Sequence, residues 1–127
     1  MGRDLATVLG ERFQPYQRLL TASDYRRVFE APDHKAGQRE LLMLARGNDL
    51  GRHRLGLAIA KKHVPLAVKR NLIKRLTRER FRVLPARQNC LDIIVLTRPG
   101  ADKADNSELN KAIERQFERL GILGEPQ

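Results

Sequence analysis

The sequence predicts an α+β fold, a two-layer sandwich in which helices pack on a small sheet. Three observations predict it. Apolar residues recur at helical spacing in three separated segments, around residues 21–31, 64–84 and 107–121. Short apolar runs, 40–46, 54–60 and 91–97, have the length and the alternating or β-branched content of strands. A chain of 127 residues, 41% of them hydrophobic, can close one compact core without disulfides or metals.

The elements follow in order. Residues 1–15 read as a loose arm ending at Pro15. Thr21 has the character of a helix N-cap, with Asp24 as its capping-box partner. Tyr25, Val28 and Phe29 then form one face of a short helix that stops at Pro32. Residues 34–39 read as a loop or a short edge strand. The run ELLMLAR, the turn Gly47-Asn48-Asp49 and the alternating run RLGLAIA suggest a hairpin. The longest helix spans Val64 to about Leu84, with Pro65 in its first turn and Pro85 at its end. LDIIVLT reads as a buried strand, broken by Arg98-Pro99-Gly100. A last helix, capped by Asn106 or Ser107, carries Leu109, Ala112, Ile113, Phe117 and Leu120 on one stripe and closes at Gly121. The whole of residues 1–127 is expected to be one domain.

Charge is concentrated. The formal net charge is +10, and residues 61–82 hold nine Lys/Arg against one acid, Glu79. The rest of the chain holds 16 basic and 14 acidic residues. A polyanion is therefore expected at one segment, with nucleic acid favoured over a membrane surface. The apolar side of the basic helix carries Leu, Ile and Val without Trp, unlike a membrane-surface helix. No signal-like segment and no membrane-length apolar run is visible, and the single cysteine, Cys90, suits a reducing compartment, so a cytoplasmic location is expected.

At about 100° per residue, Arg70, Lys74, Arg78, Asn71, Arg82 and Arg75 share one face of the long helix. Val68, Leu72, Ile73, Leu76 and Val83 fall on the other arc, with Lys69 and Arg80 among them, where they are expected to snorkel outward. Arg forks match phosphate oxygens and do not titrate away. Asn71 can donate and accept, and Glu79 can pair with Arg75 or Arg82. A recognition helix of a DNA-binding regulator is disfavoured, because a strand rather than a helix precedes the basic segment.

No catalytic constellation is legible. His34, His53 and His63 are scattered, zinc spacing is missing, and no Gly-rich loop opens a helix. Asp92 reads as a strand-edge or capping residue, and Cys90 as a small hydrophobe. The chain is expected to bind, leaving any chemistry to a partner.

The segment Ala60-Lys61-Lys62-His63-Val64, followed by Ala67-Val68-Lys69-Arg70-Asn71-Leu72-Ile73-Lys74-Arg75-Leu76-Thr77-Arg78-Glu79-Arg80-Phe81-Arg82, resembles the signature of the bacterial ribonuclease P proteins. That signature is a double lysine, then Ala-Val-x-Arg-Asn-Arg-x-Lys-Arg-x-x-Arg-Glu-x-Phe-Arg. The resemblance extends over about residues 12–120, through Arg18-Leu19-Leu20, Tyr25 to Phe29, Arg54-Leu55-Gly56-Leu57, Asp92-Ile93-Ile94-Val95 and Arg98. Two positions depart from it. The family's Arg-Asn-Arg reads Arg70-Asn71-Leu72, so the third contact is absent or passes to Lys69, and Pro65 replaces a Gly.

The resemblance implies the order α-β-β-β-α-β-α, with a short strand near Ala36 to Gln38 and a left-handed β-α-β crossover where the general rule would choose a right-handed one. It implies a subunit of an endoribonuclease whose catalytic RNA uses Mg²⁺ and removes the 5′ leader of precursor tRNA. Its partners would be that RNA and precursor tRNA, without DNA or membrane. Lys61, Lys62, Arg70, Asn71, Lys74, Arg75, Arg78 and Arg82 would bind RNA. Tyr25 and Phe29, with Leu41 and Met43 on the neighbouring strand, would line a leader cleft. No catalytic or metal-binding residue is expected in the chain. The alternative is a ribosomal or assembly RNA binder.

Overall fold

The computed structural model describes residues 21–48, 53–84 and 90–123. Among them are helices α1 (Ala22–Glu30), α2 (Ala67–Arg82) and α3 (Asn106–Leu123) and strands β1 (His34–Gly37), β2 (Leu41–Asn48), β3 (Arg54–Ala58) and β4 (Cys90–Thr97). The order is α-β-β-β-α-β-α, with a 3₁₀ turn at Ala101–Lys103 before α3. The proposed N-terminal arm and the turn residue Asp49 lie outside the described residues.

The sheet is mixed, in the order β1-β2-β4-β3. β1 and β4 both pair antiparallel with β2, while β3 lies parallel to β4. The expected hairpin of β2 with β3 is therefore replaced by insertion of β4 between them. All but one residue of CLDIIVLT is buried, and a strand with two apolar faces gains most from the central position. β3, α2 and β4 form a β-α-β unit, because parallel neighbours need a long connection.

Alternation then builds two cores. Leu41, Met43, Ala45, Leu55, Leu57, Leu91, Ile93 and Val95 point to the side that carries α2 and α3, where they meet Ile73, Leu109, Ile113, Phe117 and Leu120. Leu44, Ala58 and Ile94 point the other way and meet Tyr25 and Val28 of α1. The layer of α2 and α3 on the sheet is the main body, with α1 laid across the opposite face.

Local chemistry explains the helix limits. Thr21 and Asp24 form a complete capping box at α1. α2 begins at Ala67, later than expected, with Pro65 outside it and Leu66 extended at φ −80° and ψ 124°. Val64, preceding proline, is pushed away from helical geometry, and Arg70 Nη1 donates to the Val64 and Pro65 carbonyls. The cap of α3 is Asp105, preceding both expected candidates, Asn106 and Ser107. Its carboxylate accepts from the Glu108 amide, and Glu108 accepts from the Asp105 amide. The helix continues past Gly121 to Leu123.

Candidate nucleic-acid interface

The buried arc of α2 is centred on Ile73 and Thr77, both fully buried, with Leu72, Leu76 and Phe81 packed beside them. That orientation decides which cations reach solvent. Asn71, Arg75, Arg78 and Arg82 form the exposed crest. Arg70 lies at its margin, tied to the preceding loop, and Lys74 is only 8% exposed. Lys74 thus belongs to the packed side of the face on which the sequence placed it. Its wheel position is adjacent to Phe81, whose ring packs on the core.

Two cations in the apolar arc are structural. Lys69 Nζ donates to the carbonyls of Asp102 and Ala104, joining α2 to the 3₁₀ turn. Lys69 therefore does not stand in for the Arg that Leu72 replaces. Arg80 pairs with Glu114 of α3 at 2.8 Å. Leu72 packs on the core. Val68 and Val83, expected on the packed arc, are instead exposed: Val68 lies at the margin of the arc in the first turn, and Val83 is the C-cap just beyond the helix.

Lys61 and Lys62 are exposed on the turn leaving β3. The turn is held by Thr97 Oγ1, which accepts from the Ala60 amide at 3.1 Å and lies 3.1 Å from His63 Nδ1. Among the described residues, Lys61, Lys62, Asn71, Arg75 and Arg82 engage no side-chain hydrogen bond or ion pair, and neither does Glu79. Arg75 and Arg82 therefore meet solvent without a partner among the described residues, while Arg78 Nε donates to the Lys74 carbonyl at 3.4 Å.

A second surface lies on the α1 side of the sheet, where the register arranges side chains in three cross-strand rows. Gly37, Leu42 and Leu96 form an open row that ends at the buried Ala58. Lys35, Leu44, Ile94 and Gly56 form the next, and its apolar members lie under α1. Arg46, Asp92 and Arg54 form the third. Leu42 and Leu96 are half-buried, and Phe29 from α1 packs on the same cluster. Arg98 Nη1 donates to the Gln38 carbonyl at 2.9 Å, and its guanidinium lies across Gly37. A Cβ at Gly37 would stand 3.1 Å from Arg98 Nη2. The result is a shallow apolar floor with a cation at its edge.

The expected cleft set is corrected by this geometry. Leu41 and Met43 point into the core with α2 and α3, on the opposite side of the sheet from Tyr25 and Phe29. A strand reverses facing at every residue, and the apolar run Leu41 to Leu44 has no polar position to mark its parity. Leu42 and Leu44 take the α1 side. Tyr25 is fully buried, with its hydroxyl donating to the Leu57 carbonyl at 3.4 Å. Phe29 alone of the four stays part-exposed on the cleft side.

Asp92 is also corrected, from an edge residue to a buried hub. Its carboxylate accepts from Arg54 Nε and Nη2 at 2.8 and 2.7 Å and from Asn48 Nδ2 at 2.8 Å. Arg54 Nη2 lies 3.3 Å from Asp24, and Arg27 lies 3.6 Å from Asp92. Burial pushes the Asp24 carboxyl up, but hydrogen bonds from Thr21 and the Arg54 charge outweigh it and hold it below its ordinary value. The hydrogen bond to Asp92, helped by the charges of Asp92 and Asp24, holds Arg54 above its ordinary value despite burial.

Among the described residues no group of three His, Cys, Asp or Glu is placed to hold a metal ion. No described helix is long and apolar enough to cross a membrane.

Comparison with known proteins gives a consistent picture. A family model described as Ribonuclease P matches residues 13–121. The ribonuclease P protein component of Chromohalobacter salexigens is 46% identical over 108 residues, covering 85% of this chain and 84% of that protein. That of Pectobacterium atrosepticum is 44% identical over 102 residues, covering 80% and 85%. Among solved structures, the Staphylococcus aureus RNase P protein superposes with a TM-score of 0.68 at 27% identity, covering 80% of this chain and 92% of that one. The Thermotoga maritima RNase P protein gives 0.62 at 25% identity, covering 79% and 94%.

Proposed function

The chain belongs to the ribonuclease P protein family, and from that premise we propose that it binds the catalytic RNA through the crest of α2 and the 5′ leader of precursor tRNA on the open row of the sheet. It is the protein subunit of a ribonucleoprotein endonuclease. The observation that carries the reading is the exposed crest of Asn71, Arg75, Arg78 and Arg82, in which Arg75 and Arg82 engage no partner among the described residues, continued by the exposed Lys61 and Lys62. Cations on successive helical turns are spaced by about 5.4 Å, close to the phosphate repeat of a strand.

The leader is single-stranded, and single strands are held by stacking and apolar contact beside a cationic edge. Phe29, Leu42 and Leu96 supply the first, and Arg98 and Lys35 the second. Lys61 and Lys62 follow β3 just beyond Ala58, which pairs with Leu96. The open row and the double lysine therefore lie at one end of the sheet, and an RNA chain on the row runs toward the α2 crest.

Mg²⁺ held mainly by the catalytic RNA would supply activation of the attacking water and stabilisation of the leaving oxygen. The protein's residues neutralise phosphates and align the leader, working in the cytoplasm where precursor tRNA is made.

The test compares the catalytic RNA alone with the reconstituted holoenzyme. Added protein should tighten binding of precursor tRNA by about tenfold or more while leaving leaderless tRNA nearly unchanged, since each stacked base contributes roughly 1–3 kcal/mol. Equal tightening for both ligands would refute leader recognition.

A further inference from the structure

We infer that Arg54, Asp92 and Asp24 form a positioning device that sets the stance of α1 over the sheet and so the width of the leader cleft. The inference rests on the leader-site reading above and adds residues that do not touch the leader.

The cleft has two walls of different origin. Its floor is the open row on β1, β2 and β4, and its other wall is Phe29 near the end of α1. α1 is only nine residues long and buries Tyr25 and Val28. Apolar packing is non-directional, and the hydrogen bond of the Tyr25 hydroxyl to the Leu57 carbonyl, 3.4 Å long, still leaves so short a helix able to tilt about that point. Directional contacts must choose its pose.

The charged row supplies them. Asp92 projects from the central strand β4, 1% exposed, and holds Arg54 of β3 in a two-point grip. Arg54 Nη2 also reaches Asp24 Oδ1, while Asp24 Oδ2 accepts the Thr21 amide and hydroxyl at 3.0 and 2.9 Å. One carboxylate thus caps the helix and docks it. Arg27 lies 3.6 Å from Asp92 and 3.7 Å from Asp24, so two carboxylates face two guanidiniums. Arg46 of β2 donates to the Arg27 carbonyl at 3.3 Å, and Asn48 donates to Asp92. Three adjacent strands are thereby linked to one helix at the end opposite the open row.

Planar, bidentate pairs fix angle as well as distance. The buried grip therefore acts as a hinge point, and a small change there moves Phe29 relative to Leu42 and Leu96. A helix held only by Tyr25 and Val28 would still cover the sheet but would present a wall of variable height.

The experiment uses the reconstituted holoenzyme and three variants. Arg54→Met removes the link. Asp24→Asn keeps an acceptor for Thr21 and drops the charge that Arg54 meets. Leu96→Glu alters the floor directly. The readouts are affinity for the catalytic RNA and the ratio of precursor to leaderless tRNA affinity. Arg54→Met should lower that ratio by about tenfold, the order of one lost base contact, with Asp24→Asn intermediate and catalytic-RNA affinity unchanged for both. If Leu96→Glu lowers the ratio and both network variants leave it intact, the device is refuted and the cleft stands. If Leu96→Glu also leaves it intact, the leader-site reading falls and the inference with it. Equal loss for both tRNA ligands would reduce the network to a fold stabiliser. Should Arg54→Met fail to fold, Asp24→Asn decides alone.

Discussion

Leu42 and Leu96 stand directly opposite each other across the antiparallel β2–β4 ladder, both half-buried, on the side of the sheet that α1 leaves open. Their sequence neighbours Leu41 and Thr97 also oppose each other, on the opposite face, and both are buried. One step along the strand separates a floor that meets solvent from a core that does not.

This parity predicts different consequences for adjacent residues. Met43→Ala should cost about 2–5 kcal/mol of stability, because it opens a cavity in the larger core. Leader preference of the surviving folded protein should be unchanged. Leu42→Ala, half-exposed already, should cost less than about 1.5 kcal/mol and reduce leader preference. Chemical denaturation and paired tRNA affinities separate the two. A Met43 variant of normal stability would contradict the facing of β2.

The crest of α2 predicts a salt signature. Ala at Arg75, Arg78 or Arg82 should weaken catalytic-RNA binding and reduce the slope of log affinity against log salt by about 0.7–0.9 per lost phosphate contact. Arg80→Ala should leave that slope alone, because Arg80 faces Glu114 of α3. The pair is more than a third exposed on both sides, so its loss should change stability by at most about 1 kcal/mol. A salt titration in which Arg80→Ala matches Arg75→Ala would displace the interface from the crest.

The capping box of α1 predicts an acid limb in the stability curve. The folded Asp24 carboxyl lies below its ordinary value. The unfolded chain therefore binds the proton first as pH falls, and the contribution is complete above the unfolded value near 3.8. It is lost as pH drops through the lower, folded value. Asp24 faces Thr21, Arg54 and Arg27, with Asp92 behind the two arginines. Asp24→Asn should flatten this limb, while neutral-pH stability falls by about 1 kcal/mol. Denaturation midpoints measured from pH 2 to 7 test it. An acid limb unchanged in the variant would assign it to other carboxyls.

The sequence by itself determined what short-range physics can encode. Thr21 with Asp24 marked the start of α1, the stripe from Leu109 to Leu120 marked the packed side of α3, and nine cations against one acid over residues 61–82 marked α2 and the turn before it as the polyanion segment. Each is a relation between residues a few positions apart, where helical geometry leaves little choice. The order of the motif around Lys61 to Arg82 carried the family and, with it, the element order.

Only the tertiary structure decided the rest, because the local pattern does not distinguish the competing readings. The run Leu41 to Leu44 is apolar at both parities, so only the packing of α3 beneath it and α1 above it assigns Leu41 and Met43 to one core and Leu42 to the cleft. β2 and β3 are neighbours in sequence, yet β4 gains more from burial between them than they gain from a hairpin. Asp92 looked like an edge residue because its partner Arg54 lies 38 positions away. A carboxylate is legible as a buried hub only once the strand carrying it is central and an arginine from the adjacent strand has closed over it, since an isolated charge there would be too costly to bury.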